Sequence, residues 1–205
     1  MSPKATVPSP SARIEQKRSK RKAEIVHAAL QAFRDKGYYQ TTLEDIGQRL
    51  NMRPSAIYHY FPDKESLLYH CHLESLEEVM RLLDEAQERF EQPADRLAYL
   101  IREHVRVMTD TLEASPLAFE VTALSPERAA EVIALRDRYE RGLRSILSQG
   151  KRDGTFRDVN PKTAVFAILG SINWIARWFH PDGDVDSRRL GAEFADLLVG
   201  GLTCR

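Results

Sequence analysis

The sequence lacks several features that mark common classes of protein. It has only two cysteines, Cys71 and Cys204, which are too few for the disulfide framework of a small secreted protein. Residues 1–16 have no apolar core of the kind found in a signal peptide. The longest apolar run, Ala164 to Phe179, is too short and too polar to span a membrane. We therefore expect a soluble, cytoplasmic protein.

Signatures of enzymes, cofactor sites and sheets are also missing. The chain has no Gly-rich phosphate fingerprint and no nucleophile elbow, and His104 has no serine or cysteine partner at a motif spacing. His70, Cys71 and His72 are consecutive, so on a helix their side chains point about 100° apart and do not surround one metal ion. No alternation of β-branched residues indicates a strand. We predict an all-α protein that is not an enzyme and that holds no metal and no cofactor.

The formal net charge is zero, yet the charges are distributed unevenly along the chain. Residues 1–62 carry 11 lysines and arginines against 5 acidic residues, a net +6, whereas residues 63–205 carry 19 against 25, a net −6. A basic first third followed by an acidic remainder is typical of a nucleic-acid-binding module joined to a separate sensing module. An uneven surface without function is the alternative interpretation.

A short amphipathic helix is predicted from Leu43 to Leu50, where apolar residues recur at helical spacing. A threonine followed three positions later by an acidic residue marks the start of such a helix. Two overlapping pairs fit this pattern, and the sequence does not choose between them: Thr41 with Glu44, and Thr42 with Asp45.

A second short helix is predicted after a turn at residues 51–53, and Pro62 ends it. Pro54 suits its first position, because the missing N–H group is not needed there. Two short helices joined by about three residues form a helix-turn-helix, whose second helix enters the DNA major groove. Lys64 follows at the start of the next helix, where its ammonium is placed for a phosphate. The predicted DNA contacts are Lys22, Thr41, Thr42, Arg53, Pro54, Ser55, Tyr58, His59, Tyr60 and Lys64.

Residues before this motif divide into two parts. Residues 1–16, rich in proline and serine, are predicted to form a disordered arm. Residues 17–22 carry five lysines and arginines that lead into a helix. Solvation of the helix start and contact with DNA phosphates or the minor groove are both open interpretations of this basic run.

Residues 21–68 resemble the DNA-binding domain of the TetR family of bacterial transcriptional regulators. The resemblance implies an all-helical homodimer whose larger C-terminal domain binds a small inducer. We accordingly predict a disordered arm at 1–16, a three-helix DNA-binding domain at 17–64, and a helical ligand-binding and dimerisation domain at 65–205. The residues that carry the resemblance are Ile25, Ala28, Ala29, Phe33, Gly37, Tyr38, Thr41, Thr42, Ile46, Ser55, Ile57, Tyr58, Tyr60, Phe61, Lys64, Leu67 and Leu68.

The C-terminal part is predicted to be helical throughout. A long helix that joins the two domains could carry a signal between them through its tilt. The predicted segments are Lys64 to about Phe90, Asp95 to about Ala114, a short piece between Pro116 and Pro126, Glu127 to about Arg152, Pro161 to His180, and Ser187 to about Leu202.

The helix that contains Ala164 to Phe179 is apolar nearly all round, so it must be covered on most sides. A symmetric dimer supplies such cover. Paired with the last helix, Ser187 to Leu202, it would form a four-helix interface between two copies, as TetR-like proteins do. A dimer presents two recognition helices about one DNA turn or a multiple apart, which predicts a near-palindromic operator.

The same helix suggests an effector. A charge in so apolar a run must be paired, so Arg177 has either an internal carboxylate partner or an anionic ligand. The stretch from Ile172 to Phe179 is similar to the end of TetR-like regulators that sense fatty acyl-CoA or related CoA thioesters. Arginines at 136, 138, 141 and 144 either meet nucleotide phosphates or form a solvated face. The predicted effector site comprises His104, Met108, Phe119, Phe166, Gly170, Asn173, Trp174, Arg177 and Trp178.

The predicted function is therefore a dimeric repressor of double-stranded operator DNA, released by a hydrophobic small molecule, with an acyl-CoA as the favoured effector in fatty acid metabolism. A regulator of efflux or detoxification genes that senses a drug-like compound is the alternative. A DNA-binding architectural protein without an inducer is a third, which the roughly 140 residues beyond the helix-turn-helix disfavour.

Overall fold

A computed structural model describes residues 10–112, 115–180 and 182–204. The regular secondary structure of these residues is helical, and the one exception among them is an isolated β-bridge between Phe156 and Thr203. The predicted all-α class is therefore confirmed. The α-helices are α1 (Pro10–Lys36), α2 (Leu43–Arg49), α3 (Pro54–Tyr60), α4 (Lys64–Arg89), α5 (Pro93–Arg106), α6 (Pro126–Arg152), α7 (Pro161–Trp174) and α8 (Ser187–Gly200). Short pieces complete them: a π-helical turn (Val107–Thr111) and 3₁₀ segments at Pro116–Ala123 and Ile175–Arg177.

Helices α1 to α3 pack together and, with the links between them and the chain as far as Lys64, are termed the head. Helix α1 ends before Gly37, whose φ of 78° lies in the left-handed region that favours glycine, and this turn redirects the chain toward α2. Apolar side chains from all three helices meet beneath the turn and are almost wholly excluded from solvent: Ile25, Ala29, Phe33, Ile46 and Ile57.

The start of α2 settles which threonine caps it. The Thr42 hydroxyl accepts a hydrogen bond from the Asp45 backbone N–H at 3.1 Å, and the Asp45 carboxylate accepts from the Thr42 N–H at 2.9 Å. This reciprocal capping box fixes Leu43 as the first helical residue. Asn51 adopts a φ of 53° in the turn before α3, a conformation that asparagine tolerates better than most residues.

Helix α1 begins earlier than predicted. Residues 10–16, which were assigned to the disordered arm, form the first turns of a continuous helix of 27 residues. The remainder of that arm, residues 1–9, lies outside the described residues. Proline at position 10 is compatible with a helix start, since its ring presets φ and it needs no hydrogen-bond partner there.

Helices α4 to α8 are termed the body, and α4 connects them to the head. The Asp63 carboxylate caps α4 by accepting a hydrogen bond from the Ser66 N–H at 2.6 Å. Helix α5 packs along α8 and also contacts α4 and α6. The inward side of α5 is buried and includes Leu97, Leu100, Ile101, His104 and Val105.

Two helices of the body end differently from the prediction. The helix expected from Asp95 to Ala114 is regular only to Arg106 and continues as the π-helical turn, in which the Leu112 N–H donates to the Val107 carbonyl at 2.8 Å. Its predicted end at Ala114 lies outside the described residues. The helix expected to reach His180 ends at Trp174 and tightens into a 3₁₀ turn. None of the described helices is long and apolar enough to cross a membrane.

Candidate functional site

Helix α3 presents a polar face to solvent. Ser55, Tyr58 and His59 are exposed, whereas Ile57 is fully buried and faces α2. The Tyr58 hydroxyl donates a hydrogen bond to the Glu44 carboxylate of α2 at 3.0 Å, and this bond raises the pKa of Tyr58. The exposed tyrosine ring is therefore held in a defined orientation across the helix-turn-helix.

The other predicted contacts near α3 differ in exposure. Tyr60 is half-buried and meets the His59 ring edge-on, and Lys22 is half-buried with its ammonium 6.0 Å from the centre of the Phe61 ring. The predicted DNA contacts that lie exposed around this face are Thr42, Arg53, Pro54, Ser55, Tyr58 and His59.

An open groove of about 540 Å³ lies between the first half of α1 and the end of α3. Four lysines and arginines contribute to its walls, and one of them, Arg21, also pairs with Glu24 at 2.6 Å. Such a concentration of cations suits a polyanionic backbone. The groove is lined by Ile14, Lys17, Arg18, Lys20, Arg21, Glu24, His59 and Tyr60.

Thr41 does not belong to this surface, so its prediction as a DNA contact is wrong. It is fully buried, and its hydroxyl donates to the backbone carbonyls of Gly37 at 2.8 Å and Ala32 at 3.2 Å. One carbonyl belongs to the last turns of α1 and the other to the glycine that follows this helix. The side chain therefore fastens the link after α1 to the end of that helix instead of facing solvent.

Lys64 is likewise used by the fold. Its ammonium donates to the backbone carbonyls of Tyr38 and Thr41, each at 2.8 Å, and approaches that of Tyr39 at 3.2 Å. It also lies 4.4 Å from the centre of the Tyr38 ring. With its three N–H groups directed to three carbonyls, the ammonium is not free for a phosphate, and that prediction does not fit the structure.

A cavity of about 130 Å³ lies inside the body, between α4, α5, α6 and α7. The π-helical turn and the 3₁₀ segment Pro116–Ala123 also contribute to its wall. Apolar side chains predominate, and a few polar groups converge on it, as is usual for small-molecule sites. The lining residues are His72, Ser75, Leu76, Val79, His104, Met108, Leu112, Leu117, Ala118, Arg136, Tyr139, Leu169 and Asn173.

Two buried histidines in this wall are held uncharged. Burial lowers the pKa of His104 to about 4, and its Nδ1 lies 3.2 Å from the hydroxyl of the buried Tyr139. Burial, together with the Arg136 charge, lowers the pKa of His72 to about 3. Each ring therefore remains neutral at physiological pH and presents one donor and one acceptor nitrogen.

The cavity gathers some of the predicted effector residues and leaves out others. His104, Met108 and Asn173 line it, as the effector prediction requires. The remaining six predicted residues do not contribute to its wall: Phe119, Phe166, Gly170, Trp174, Arg177 and Trp178.

The excluded residues of α7 point away from the body because the cavity meets its opposite side. Phe166, Trp174 and Trp178 are 53%, 59% and 40% exposed, and Leu197 of α8 is 75% exposed. Arg177 is exposed too, and its guanidinium lies 4.8 Å from the Phe119 ring centre. The expectation that Arg177 must pair with a carboxylate or an anionic ligand assumed burial on all sides, which this helix does not have in a single chain.

Sequence reasoning missed His72, Ser75, Arg136 and Tyr139. Arg136 was grouped with three other arginines as either a contact to nucleotide phosphates or part of a solvated face. Its position four residues after Val132 and three before Tyr139 places it on the buried side of α6. His72 follows Leu68 by four positions on the buried side of α4 in the same way. Helical periodicity was therefore the signal that could have found both side chains.

Comparison with protein families agrees with this architecture. The model described as "Tetracyclin repressor-like, C-terminal domain" matches residues 90–202, more than half of the chain, and the model "Bacterial regulatory proteins, tetR family" matches residues 25–71. This chain belongs to the TetR family. It is a transcriptional regulator, and the resemblance found in residues 21–68 is confirmed.

Individual TetR-family proteins are similar over most of the chain. The HTH-type transcriptional repressor KstR2 of Mycolicibacterium smegmatis is 25% identical over 89% of this chain and 91% of its own length. The ketosteroid transcriptional regulator KstR2 of Mycobacterium tuberculosis superposes with a TM-score of 0.82 at 21% identity, covering 90% and 96%, and so shows the fold. AibR, solved in complex with isovaleryl coenzyme A and operator DNA, gives 0.76 at 27%, covering 89% and 98%.

Proposed function

We propose that this regulator is a homodimeric repressor that binds a near-palindromic operator and leaves it when a hydrophobic effector, favoured here as an acyl-CoA or related CoA thioester, enters the body. The observation that carries the proposal is that α4 connects the head directly to the cavity wall. Its first residue, Lys64, holds the head together, while its middle turns supply four residues to the cavity wall. A ligand that displaces α4 therefore acts directly on the head.

Residues 17–64, which are the head without the first residues of α1, are proposed as the DNA-binding domain. The exposed face of α3 would enter the major groove, while the cations of the α1 groove would meet the phosphate backbone. The residues proposed to touch DNA are those of the original set that remain available: Lys22, Thr42, Arg53, Pro54, Ser55, Tyr58, His59 and Tyr60.

The body, residues 65–205, is proposed to dimerise through the outer face of α7 and α8. That face exposes large apolar side chains, which a monomer seldom leaves in contact with water. Gly170 lies among them with no atom near the place where a side chain would stand, so another backbone can approach closely. A second copy of the chain related by a two-fold axis would cover both faces at once.

Two observations favour a CoA thioester as the effector: a structurally similar protein solved with one, and the apolar character of the cavity. AibR, similar to this chain over most of its length, was solved with isovaleryl coenzyme A and operator DNA. The cavity of the present chain is apolar with a small number of polar groups, which suits the acyl end of such a ligand.

Two structural links would transmit effector binding to the head. The first is the Lys64 ammonium at the start of α4. The second is the 3₁₀ segment Pro116–Ala123, which lines the cavity through Leu117 and packs against α1. An effector that favours the non-operator arrangement needs a differential affinity of about 1–3 kcal/mol for a typical allosteric coupling.

The experiment is to select operator sequences from random DNA and then titrate the bound complex with acyl-CoAs. We expect a two-fold sequence and a fall in operator affinity of about 5–150-fold at saturating effector. Operator affinity that persists in the presence of bound effector would contradict the coupling, and selected DNA without two-fold symmetry would contradict the docking arrangement.

Dimerisation has its own test, by sedimentation at working concentrations. We expect Leu197→Glu to yield monomers, because a buried unpaired charge is incompatible with an apolar interface. Ile133→Glu on α6 is the matched control, since Ile133 is also an exposed apolar residue (47%) but belongs to neither α7 nor α8. A wild-type chain that sediments as a monomer would refute the dimer.

A further inference from the structure

Arg136 is a cation placed in the wall of an apolar cavity. Its Nη1 donates to the Ala118 carbonyl at 3.1 Å, and burial lowers its pKa. Other arginines of α6 are ion-paired: Arg128 with Glu65 at 3.2 Å, and Arg144 with Glu140 at 3.1 Å. Within the described part of the chain no carboxylate lies within ion-pair distance of Arg136. A partly desolvated charge of this kind is stabilised when an anion or a polarised oxygen binds beside it.

His72 keeps this guanidinium in place. Its Nδ1 lies 3.4 Å from Arg136 Nη2, and because an arginine only donates, Nδ1 must be the acceptor. The proton of the neutral ring is then on Nε2. His72 is 2% exposed on the buried side of α4, so the acceptor that meets the guanidinium is itself packed into the cavity wall. We assign it a positioning role.

The cavity is small. At about 130 Å³ it resembles engineered cavities of roughly 150 Å³ in another protein that bind benzene, a ligand of six heavy atoms. The larger apolar side chains around this volume are aliphatic or thioether: Leu76, Val79, Met108, Leu112, Leu117 and Leu169. A compact apolar group of about four to six carbon atoms fits such a space, and a long fatty acyl chain does not.

We propose that the cavity binds a short, compact acyl group whose carbonyl or carboxylate oxygen accepts a hydrogen bond from Arg136. This inference rests on the proposed function in treating the cavity as the effector site, and it specifies the effector's chain length and the residue that recognises its polar end. The oxygen could belong to a free short-chain carboxylic acid or to its CoA thioester. Both present the same acceptor to the guanidinium.

Direct binding measured by calorimetry on the full-length protein tests the proposal without DNA. The probes are isovalerate, isovaleryl-CoA, octanoyl-CoA, palmitoyl-CoA and CoA alone. We expect one or both isovaleryl compounds to bind more tightly than the two longer thioesters, and the comparison of acid with thioester identifies the source of the acyl group. Tighter binding of palmitoyl-CoA, or equal binding of CoA alone, would overturn the proposal.

Arginine variants test the recognition. Arg136→Met keeps the aliphatic stem and removes the charge, and we expect it to weaken isovaleryl binding by about tenfold or more, as for other hydrogen bonds to charged groups. Arg136→Lys should recover part of the loss. Arg141→Met, an exposed arginine on the same helix, is the matched control and should bind as the wild type does. Wild-type affinity in Arg136→Met would overturn the assignment.

A third variant keeps the proposal testable if Arg136→Met fails to fold. Leu169→Ala enlarges the cavity, so we expect the tightest-binding thioester to become a longer one, such as octanoyl-CoA. An unchanged chain-length preference would count against the cavity as the acyl site.

The operator assay separates this inference from the proposed function. Binding of a short acyl ligand that depends on Arg136 but leaves operator affinity unchanged supports the inference and refutes the coupling. Release of the operator by long-chain thioesters, unaffected by Arg136→Met, supports the proposed function and refutes the inference.

Discussion

The head and the body each contain a half-buried cation, and the two cations differ in how many of their N–H groups are bonded within the protein. In the head, Lys64 is surrounded by three backbone carbonyls, so its charge serves the fold. In the body, Arg136 has one carbonyl and one neutral imidazole as partners and lies beside an apolar cavity. A half-buried cation is therefore a candidate for ligand binding when some of its N–H groups have no protein acceptor. When all of its N–H groups are bonded within the protein, the cation stabilises the fold instead.

The head and the body also differ in which titratable groups have shifted pKa values. The body buries His72 and His104 as neutral rings, with pKa values lowered to about 3 and about 4, whereas His59 of the head is exposed. The head relies instead on carboxylates such as Asp45, whose pKa the Thr42 backbone N–H lowers to about 2. The two regions should therefore respond to acid in different pH windows.

The largest expected effect is acid destabilisation of the body. As pH falls below the ordinary histidine value of 6.5, the unfolded chain binds protons that the folded rings do not take up until about pH 4 or lower. The free energy of unfolding should therefore fall between about pH 6.5 and pH 4, by about 3 kcal/mol for each histidine. Fluorescence of Trp174 and Trp178 follows this unfolding, since both tryptophans lie in the body.

The control for the acid effect is a pair of histidine variants. His104→Gln should flatten the dependence of unfolding on pH, and His59→Gln, at an exposed position, should leave it unchanged. An equal slope in all three proteins would show that carboxylates, and not the buried rings, dominate this window.

A slightly smaller loss of stability is expected from Phe33→Ala in the head, and a much smaller one from Phe166→Ala in the body. Phe33, 1% exposed in the head core, should cost about 3–5 kcal/mol of unfolding free energy when replaced by alanine. Phe166, 53% exposed on the body, should cost less than about 1 kcal/mol in the monomer yet weaken self-association. Denaturant unfolding and sedimentation measure the two quantities. Unchanged association in Phe166→Ala would remove that residue from the proposed interface.

Lys64→Met tests the structural reading of the head cation. Losing three hydrogen bonds from a half-buried ammonium should lower the stability of the head by about 2 kcal/mol. The matched control is Lys36→Met, because Lys36 is an exposed head lysine whose ion pair with Asp45 at 3.0 Å contributes at most about 1 kcal/mol. Thermal unfolding of both variants decides the matter. Equal melting temperatures would restore Lys64 as a candidate phosphate contact.

The smallest expected change in free energy is the loss of operator affinity in Tyr58→Ala. Tyr58→Ala should weaken operator binding by about tenfold, through the lost ring and hydroxyl contacts, while stability changes by less than about 0.5 kcal/mol because the side chain is exposed. Glu44→Gln, which weakens the bond that orients the ring, should have a smaller effect on affinity. Fluorescence anisotropy with labelled operator measures both. Affinity that survives in Tyr58→Ala would move the recognition surface elsewhere.

Sequence reasoning succeeded in the head because its signals are local. Pro54 marked the start of α3, and the pattern from Leu43 to Leu50 located α2 to within a residue at each end. It failed for Thr41 and Lys64, since a hydroxyl and an ammonium next to a helix terminus suit DNA and backbone carbonyls equally well. Only the path of the chain around Gly37 decided which partner each one met.

The body was harder to predict because its cavity draws on four helices and two irregular segments. The composition of α7 was correctly seen as apolar, yet the sequence did not reveal which face turns inward, and Phe166, Trp174 and Trp178 were placed in the cavity instead of outside it. The π-helical turn at Val107–Thr111 has no sequence signature, so a regular helix was predicted to continue through it to Ala114.

The sequence by itself determined the helical class, the helix-turn-helix and the family, because caps, turns and apolar periodicity act between residues a few positions apart. The tertiary structure alone decided that Lys64 is consumed by the fold, that Arg136 and His72 meet at a cavity, and that the aromatic face of α7 is exposed. These outcomes depend on how helices distant in the chain are rotated against one another, and side-chain burial, which sets both pKa and binding capacity, follows from that rotation.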